Sequence, residues 1–157
     1  MNSISENEKL FIEALESHGL LGLELERDQH GTLIVSLKSP CAEIGALSAF
    51  LYEHEVALSC KVSHHHVDRV DSDLLSSLNT QEAIYEKAAK VFIDFINEKI
   101  YVSEHRSSQG DLISSGWGPV KSLPERNPEF DKLIEQQYGN LGLKKYWVWS
   151  GEITYGL

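Results

Sequence analysis

An apolar, strand-like run in residues 55–71 reads EVALSCKVSHHHVDRVD and ends in three consecutive histidines and two aspartates. Its apolar residues, several of them β-branched, predict a strand from Glu55 to His66. It is also the one place in the chain where potential metal ligands or bases crowd together. The predicted fold and the candidate site therefore both start here.

A second apolar run, Ala46–Tyr52, precedes this strand, and Glu53-His54 lies between the two runs like a tight turn. The pattern predicts a β-hairpin. A short helix from Ala42 to Tyr52 competes with it, because alanine and leucine are good helix formers.

Local signals predict a helix and another hairpin nearer the N-terminus. Ser5 and Glu8 form a capping box, apolar residues follow at helical spacing, and Gly19 supplies a stop, which predicts a helix over residues 6–18. Leucines at 21, 23 and 25 and apolar residues at 33, 35 and 37 then alternate on either side of a turn at residues 28–31. This spacing predicts a hairpin with one buried face.

The second half of the chain carries further helix and strand signals. Thr80 can cap a helix with an apolar stripe from Ile84 to Phe95. Four more segments are predicted in order: a strand Lys99–His105, a loop-rich stretch Ser107–Leu123, a helix starting at Asn127-Pro128-Glu129, and a strand Lys144–Ser150.

These elements predict a single α+β domain over residues 1–157, with a mainly antiparallel sheet of four to six strands flanked by two or three helices. The length suits one domain, and the apolar fraction of 41% is that of a globular protein.

The charge of the chain limits the classes of molecule that it can bind. Its 14 basic and 24 acidic residues give a net charge of −10. This field repels polyanions and attracts basic proteins, and no basic cluster interleaved with aromatic residues occurs, so we expect no nucleic-acid binding. We also expect no membrane span, no signal peptide and a cytoplasmic location with reduced Cys41 and Cys60.

Three side chains near the end of the central strand could hold a metal ion. Successive strand residues point to opposite faces, so His64 and His66 project together, and Asp68 follows on the same side if the strand continues. Two imidazoles and a carboxylate suit a divalent ion such as zinc. The competing interpretation is that His64 and His66 are half-buried residues at the strand end, whose ring nitrogens bond to the backbone or to Asp68 and Asp71.

The string His64-x-His66-x-Asp68 resembles the start of the metallo-β-lactamase signature, which implies a two-zinc hydrolase. The sequence departs from that family where Arg69 replaces an expected histidine, and the Gly-Gly pair expected soon after is missing. The chain is also short for the family's αββα sandwich.

No complete catalytic set is present. The sequence has no Gly-x-Ser-x-Gly elbow and no glycine-rich phosphate loop, and we assign no catalytic residue. Trp117, Trp147 and Trp149 are candidate anchors for a partner protein, because aromatic residues are enriched in interface hot spots. Burial in the core is the alternative for each of them.

Two motifs, Ser63-His64-His65-His66-Val67 and Ser114-Ser115-Gly116-Trp117, resemble those of a group of small uncharacterised bacterial proteins. In that group a Thr-His-x-His-Phe-like strand end precedes a helix and a Gly-Ser-Gly-Gly-Trp-like turn. The similarity spans roughly residues 43–120 and implies no particular activity. Some acidic α+β proteins of this kind are similar to immunity proteins, which neutralise a partner toxin.

The sequence thus favours a non-enzymatic cytosolic protein that acts through protein–protein contact, in the manner of an immunity-like inhibitor of a basic partner. The alternative is a metal-binding protein or metal-dependent hydrolase that uses His64, His66 and Asp68, with a metal-bound water as nucleophile.

Overall fold

The architecture is known from a computed structural model, which describes residues 3–68, 80–125, 136 and 141–153. Within these ranges, two α-helices and two antiparallel sheets of five and four strands form an α+β fold. The predicted fold class is confirmed, although the strands are divided between two sheets rather than joined in one.

Helix α1 (Glu6–Ser17) begins where the capping box predicts. The Glu8 N–H donates to the Ser5 hydroxyl, and the Ser5 N–H donates to the Glu8 carboxylate, which satisfies two amide groups that the helix start leaves unpaired. Phe11 and Leu15 form its buried face. The short-range signals were therefore sufficient for this helix.

The five-stranded sheet is an antiparallel meander in chain order. Its strands are β1 (Glu24–Arg27), β2 (Leu33–Lys38), β3 (Ala46–Leu51), β4 (Glu55–Ser59) and β5 (His64–Asp68). The hairpin of Ala46–Tyr52 with the following run is confirmed, and the competing helix is not formed. The first strand is shorter than predicted and lies at the sheet edge, so Leu21 is 86% exposed instead of facing the core.

The continuous strand predicted from Glu55 to His66 is wrong, because the chain turns within it. The Cys60 N–H donates to the Ser63 carbonyl at 2.9 Å, which closes a tight turn between β4 and β5. The Lys61 N–H donates to the Ile44 carbonyl at 3.0 Å, so a contact with a distant loop holds the turn in place. The turn contains neither glycine nor proline, and the sequence gives little sign of it.

Helix α2 (Gln81–Ile96) covers one face of the five-stranded sheet. Its predicted cap is present, since the Thr80 hydroxyl accepts from the Ala83 N–H. The predicted stripe is buried, and it packs with α1 and with alternate residues of β2 to β5 in one core. Phe11 of α1 meets Tyr85 and Phe92 of α2 edge to face, at centroid distances of 6.2 and 6.4 Å.

The second sheet has the order β7-β6-β8-β9. Its strands are β6 (Ile100–Ser107), β7 (Leu112–Pro119), β8 (Leu141–Val148) and β9 (Gly151–Glu152), and a 3₁₀ helix (Val120–Glu125) follows β7. The loop predicted over Ser107–Leu123 is wrong for residues 112–123, which form strand β7 and the first part of the 3₁₀ helix. Gly118 lies opposite Tyr101 of β6, whose ring occupies the space that a Cβ at Gly118 would need.

The helix predicted to start at Asn127 and the loop after Asp71 fall outside the described residues. In the ranges that are described, no helix combines the length and the apolar character needed to cross a membrane.

Candidate functional site

Strand β5 carries the three histidines at an edge of the five-stranded sheet. His64 and His66 share one face as the alternation predicts, with ring centroids 5.3 Å apart, and both are exposed. His65 points to the opposite face and stacks on Trp117 at 5.6 Å. The three histidines therefore belong to two different surfaces.

The expected metal ligands lie on the exposed face. Asp68 is the cross-strand neighbour of Glu55, and the Glu55 carboxylate lies 3.2 Å from the His66 Nδ1. Over the described part of the chain, no three histidine, cysteine or acidic side chains are arranged to hold an ion. The metal site at His64, His66 and Asp68 stays a prediction.

Elemental analysis of untagged, chelator-free protein tests the predicted metal site. A metal site requires about one zinc, manganese or iron ion per chain, and the ion must be lost from a His64→Ala/His66→Ala double variant. If neither protein holds an ion and both unfold at the same temperature, the two histidines are surface residues without a metal.

The tryptophans differ in what they offer to a partner. Trp147 is 3% exposed and belongs to the core, so its ring presents little surface, and we leave it out of any proposed interface. Trp117 and Trp149 are partly buried, and both pack on Phe95 of α2, at centroid distances of 5.0 and 5.9 Å. Trp117 and Trp149 thus hold the second sheet against the helix.

Cys60 does not have the environment of a nucleophile. Burial raises the pKa of its thiol, and the backbone N–H groups of Ser63 and Val62 offset this only in part. A raised pKa leaves less thiolate, the reactive form, at neutral pH.

An acidic surface lies where the N-terminal turns of both helices meet the β3–β4 turn. The Asn7 side chain donates to Gln81 at 2.7 Å and links the two helix starts. The Tyr85 hydroxyl donates to the Tyr52 carbonyl at 3.1 Å and links α2 to the turn. We name this end of the fold the acidic end and define it by four glutamates in the joined segments: Glu6, Glu53, Glu55 and Glu82. Glu6 also pairs with Lys9, and Glu55 lies beside His66 on the sheet face away from the core.

A groove of about 850 Å³ opens between the C-terminal half of α2 and the second sheet. We name it the lysine groove, because four lysines line it: Lys87, Lys90, Lys99 and Lys121. They come from α2, from the segment after it and from the 3₁₀ helix. Sequence analysis missed this groove because the lysines are dispersed along the chain and no local cluster indicates them.

No protein-family model, no curated protein and no solved structure matches the chain, so its function is argued from its own surfaces.

Proposed function

We propose that the protein is a non-enzymatic cytoplasmic protein that acts through protein–protein contact, as an immunity-like inhibitor of a basic partner. The observation that carries the proposal is the acidic end, where four glutamates lie in segments that the Asn7–Gln81 and Tyr85–Tyr52 hydrogen bonds join. A net charge of −10 adds a long-range field of the same sign.

Hydrogen bonds join the segments of the acidic end. Burial raises the pKa of Tyr85 to about 12, and the negative charge of Glu8 contributes to the rise. The phenol therefore stays protonated at neutral pH and keeps its hydrogen bond to the β3–β4 turn. This bond ties the turn that carries Glu53 to α2, whose first turn carries Glu82.

The helix dipoles explain the positions of only two of the four glutamates at the acidic end. Glu6 and Glu82 lie in the first turns of their helices, where a carboxylate is stabilised by the helix dipole. Glu53 and Glu55 lie at a strand turn, where no such effect operates. Tyr52 lies beside them, is 38% exposed and stacks on Phe50 at 6.4 Å, which adds an aromatic contact of the kind enriched in interface hot spots.

The test compares two triple variants with the same net charge. The acidic-end variant is Glu53→Gln/Glu55→Gln/Glu82→Gln. The control is Glu13→Gln/Glu16→Gln/Glu24→Gln, which changes exposed glutamates in the C-terminal half of α1 and at the first residue of β1. Each removes three negative charges, so the net charge changes from −10 to −7 in both, since −10 + 3 = −7.

Partners captured by the wild-type protein are identified, and the affinity of each is then measured by calorimetry. We expect a basic partner to bind the acidic-end variant about tenfold more weakly and the control nearly as tightly as wild type. We also expect the affinity to fall as salt rises from about 50 to 200 mM, because salt screens exposed charges. A partner that binds both variants equally, with no salt dependence, would contradict the proposal.

A further inference from the structure

We propose that the lysine groove is a binding site for a small amphiphilic anion, a molecule with a planar apolar body and one carboxylate. The groove lies at the C-terminal half of α2, whereas the acidic end lies at its N-terminus, and the two surfaces share no residue. The proposal therefore stands apart from the proposed function.

The lining of the groove suits an apolar body. Apolar side chains from α2, β6, β7 and the 3₁₀ helix contribute to it, namely Val91, Ile100, Trp117, Pro119 and Val120. Trp117 is fixed by its stacking on Phe95 and on His65, with interplanar angles of 27° and 23°. A volume of about 850 Å³ lies in the range of small-molecule sites, so a ring system can be largely buried there.

The charge of the groove is opposite to that of the whole chain. Its four lysines and two acids, Asp94 and Glu98, give a formal charge of 4 − 2 = +2 with histidine neutral. Asp94 lies 2.7 Å from the Lys90 ammonium and 3.6 Å from that of Lys99, so these lysines are held beside the groove. Lys121, on the 3₁₀ helix, adds a further positive charge to the lining, so an anion in the groove is attracted by lysines from more than one element.

The groove is positively charged and the rest of the chain is negatively charged, and this contrast limits the size of the ligand. A long polyanion would extend over the acidic surface outside the groove and be repelled by it. A small anion inside the groove lies within a Debye length, about 10 Å at 0.1 M salt, of the lysines. The site therefore selects a small molecule over a nucleic acid.

The test uses three naphthalene probes of one shape and different charge: 2-naphthoate, 2-naphthamide and 2-naphthylmethylammonium. They are titrated into the 157-residue protein, with binding followed by calorimetry and by the indole N–H signals of the three tryptophans. We expect naphthoate to bind at least about tenfold more tightly than the amide, and the cation to bind most weakly. The Trp117 signal should move, while that of Trp147 in the core stays in place.

A matched pair of variants then locates the site. Lys99→Gln/Lys121→Gln removes two groove lysines, and Lys38→Gln/Lys61→Gln removes two exposed lysines that do not line the groove. We expect about tenfold weaker naphthoate binding in the first and no change in the second. Equal binding of naphthoate and naphthamide by the wild-type protein would overturn the proposal, and so would equal naphthoate affinity in the two variants. The probe comparison needs no variant, so it remains decisive if a substitution affects folding.

Discussion

Replacing Phe95 with alanine should lower the free energy of unfolding by about 3–5 kcal/mol, the usual cost of removing a large buried aromatic ring. Phe95 is fully buried in α2, and its ring contacts both Trp117 and Trp149. These contacts join α2 to the second sheet. The alanine substitution therefore leaves a cavity between the helix and that sheet. The change in unfolding free energy is measured by urea denaturation followed by circular dichroism.

Phe92→Ala is the matched control for this prediction. Phe92 is equally buried in the same helix, but its ring meets Phe11 of α1. We expect a similar loss of stability from both variants, yet only Phe95→Ala should alter the fluorescence and indole N–H signal of Trp117. A cost below about 1 kcal/mol for Phe95→Ala, or an unchanged Trp117 signal, would show that the ring does not support the second sheet.

Elements defined by short-range chemistry were predictable from the sequence. The capping box at Ser5 and the cap at Thr80 lie within three residues of the groups they bind, and both helices begin where these signals occur. The hairpin of β3 and β4 was likewise recognised from two apolar runs and a short turn. In each case the deciding interaction is contained in the segment itself.

Elements that depend on distant contacts were not predictable in this way. The turn between β4 and β5 is held by the bond from Lys61 to Ile44, and strand β7 is formed in spite of two glycines because it pairs with β6. Glycine is unfavourable in a strand when considered alone. The alternation of apolar and polar residues shows which face of a strand is buried, but it does not show which strands pair with each other. The division of the strands into two sheets could therefore not be predicted from it.

The same distinction applies to the sites. The co-facial arrangement of His64 and His66 followed from strand geometry, whereas the stacking of His65 on Trp117 joins residues from different sheets. The lysine groove is the extreme case, since its cations become neighbours only when α2 and the second sheet meet. Surfaces assembled in this way require the tertiary structure.

Among the polar residues that the structure describes, Glu8 is the one whose removal should cost the most stability. Its carboxylate, 10% exposed, accepts from the Ser5 N–H at 2.7 Å and from two Arg27 nitrogens at 3.0 and 2.9 Å. Glu8→Ala removes all three bonds and leaves Arg27 without its charged partner, so we expect a loss of about 2–3 kcal/mol at neutral pH. Arg27 keeps its bond to the Gly31 carbonyl, which limits the loss.

The pH dependence of this contribution tests its electrostatic origin. Burial raises the pKa of Glu8, but the hydrogen bonds from Arg27 and Ser5, with the charge of Arg27, outweigh burial and leave the pKa below its ordinary value of 4.5. A group whose pKa is lower in the folded state stabilises the fold fully above its unfolded pKa, and this contribution is lost as pH falls through the folded pKa. The stability difference between wild type and Glu8→Ala should therefore be constant near neutral pH and shrink below about pH 4.5.

Urea denaturation of both proteins at about pH 7 and about pH 3 measures this difference, and the subtraction cancels the other carboxylates that titrate in the same window. An Arg27→Ala variant and the double variant complete a mutant cycle, in which we expect a coupling of about 1–3 kcal/mol at neutral pH that is reduced in acid. A coupling that is the same at both pH values would mean that Glu8 acts through packing rather than through its charge. A reduced coupling would identify the Glu8–Arg27 pair as the ionic link between α1 and the edge of the five-stranded sheet.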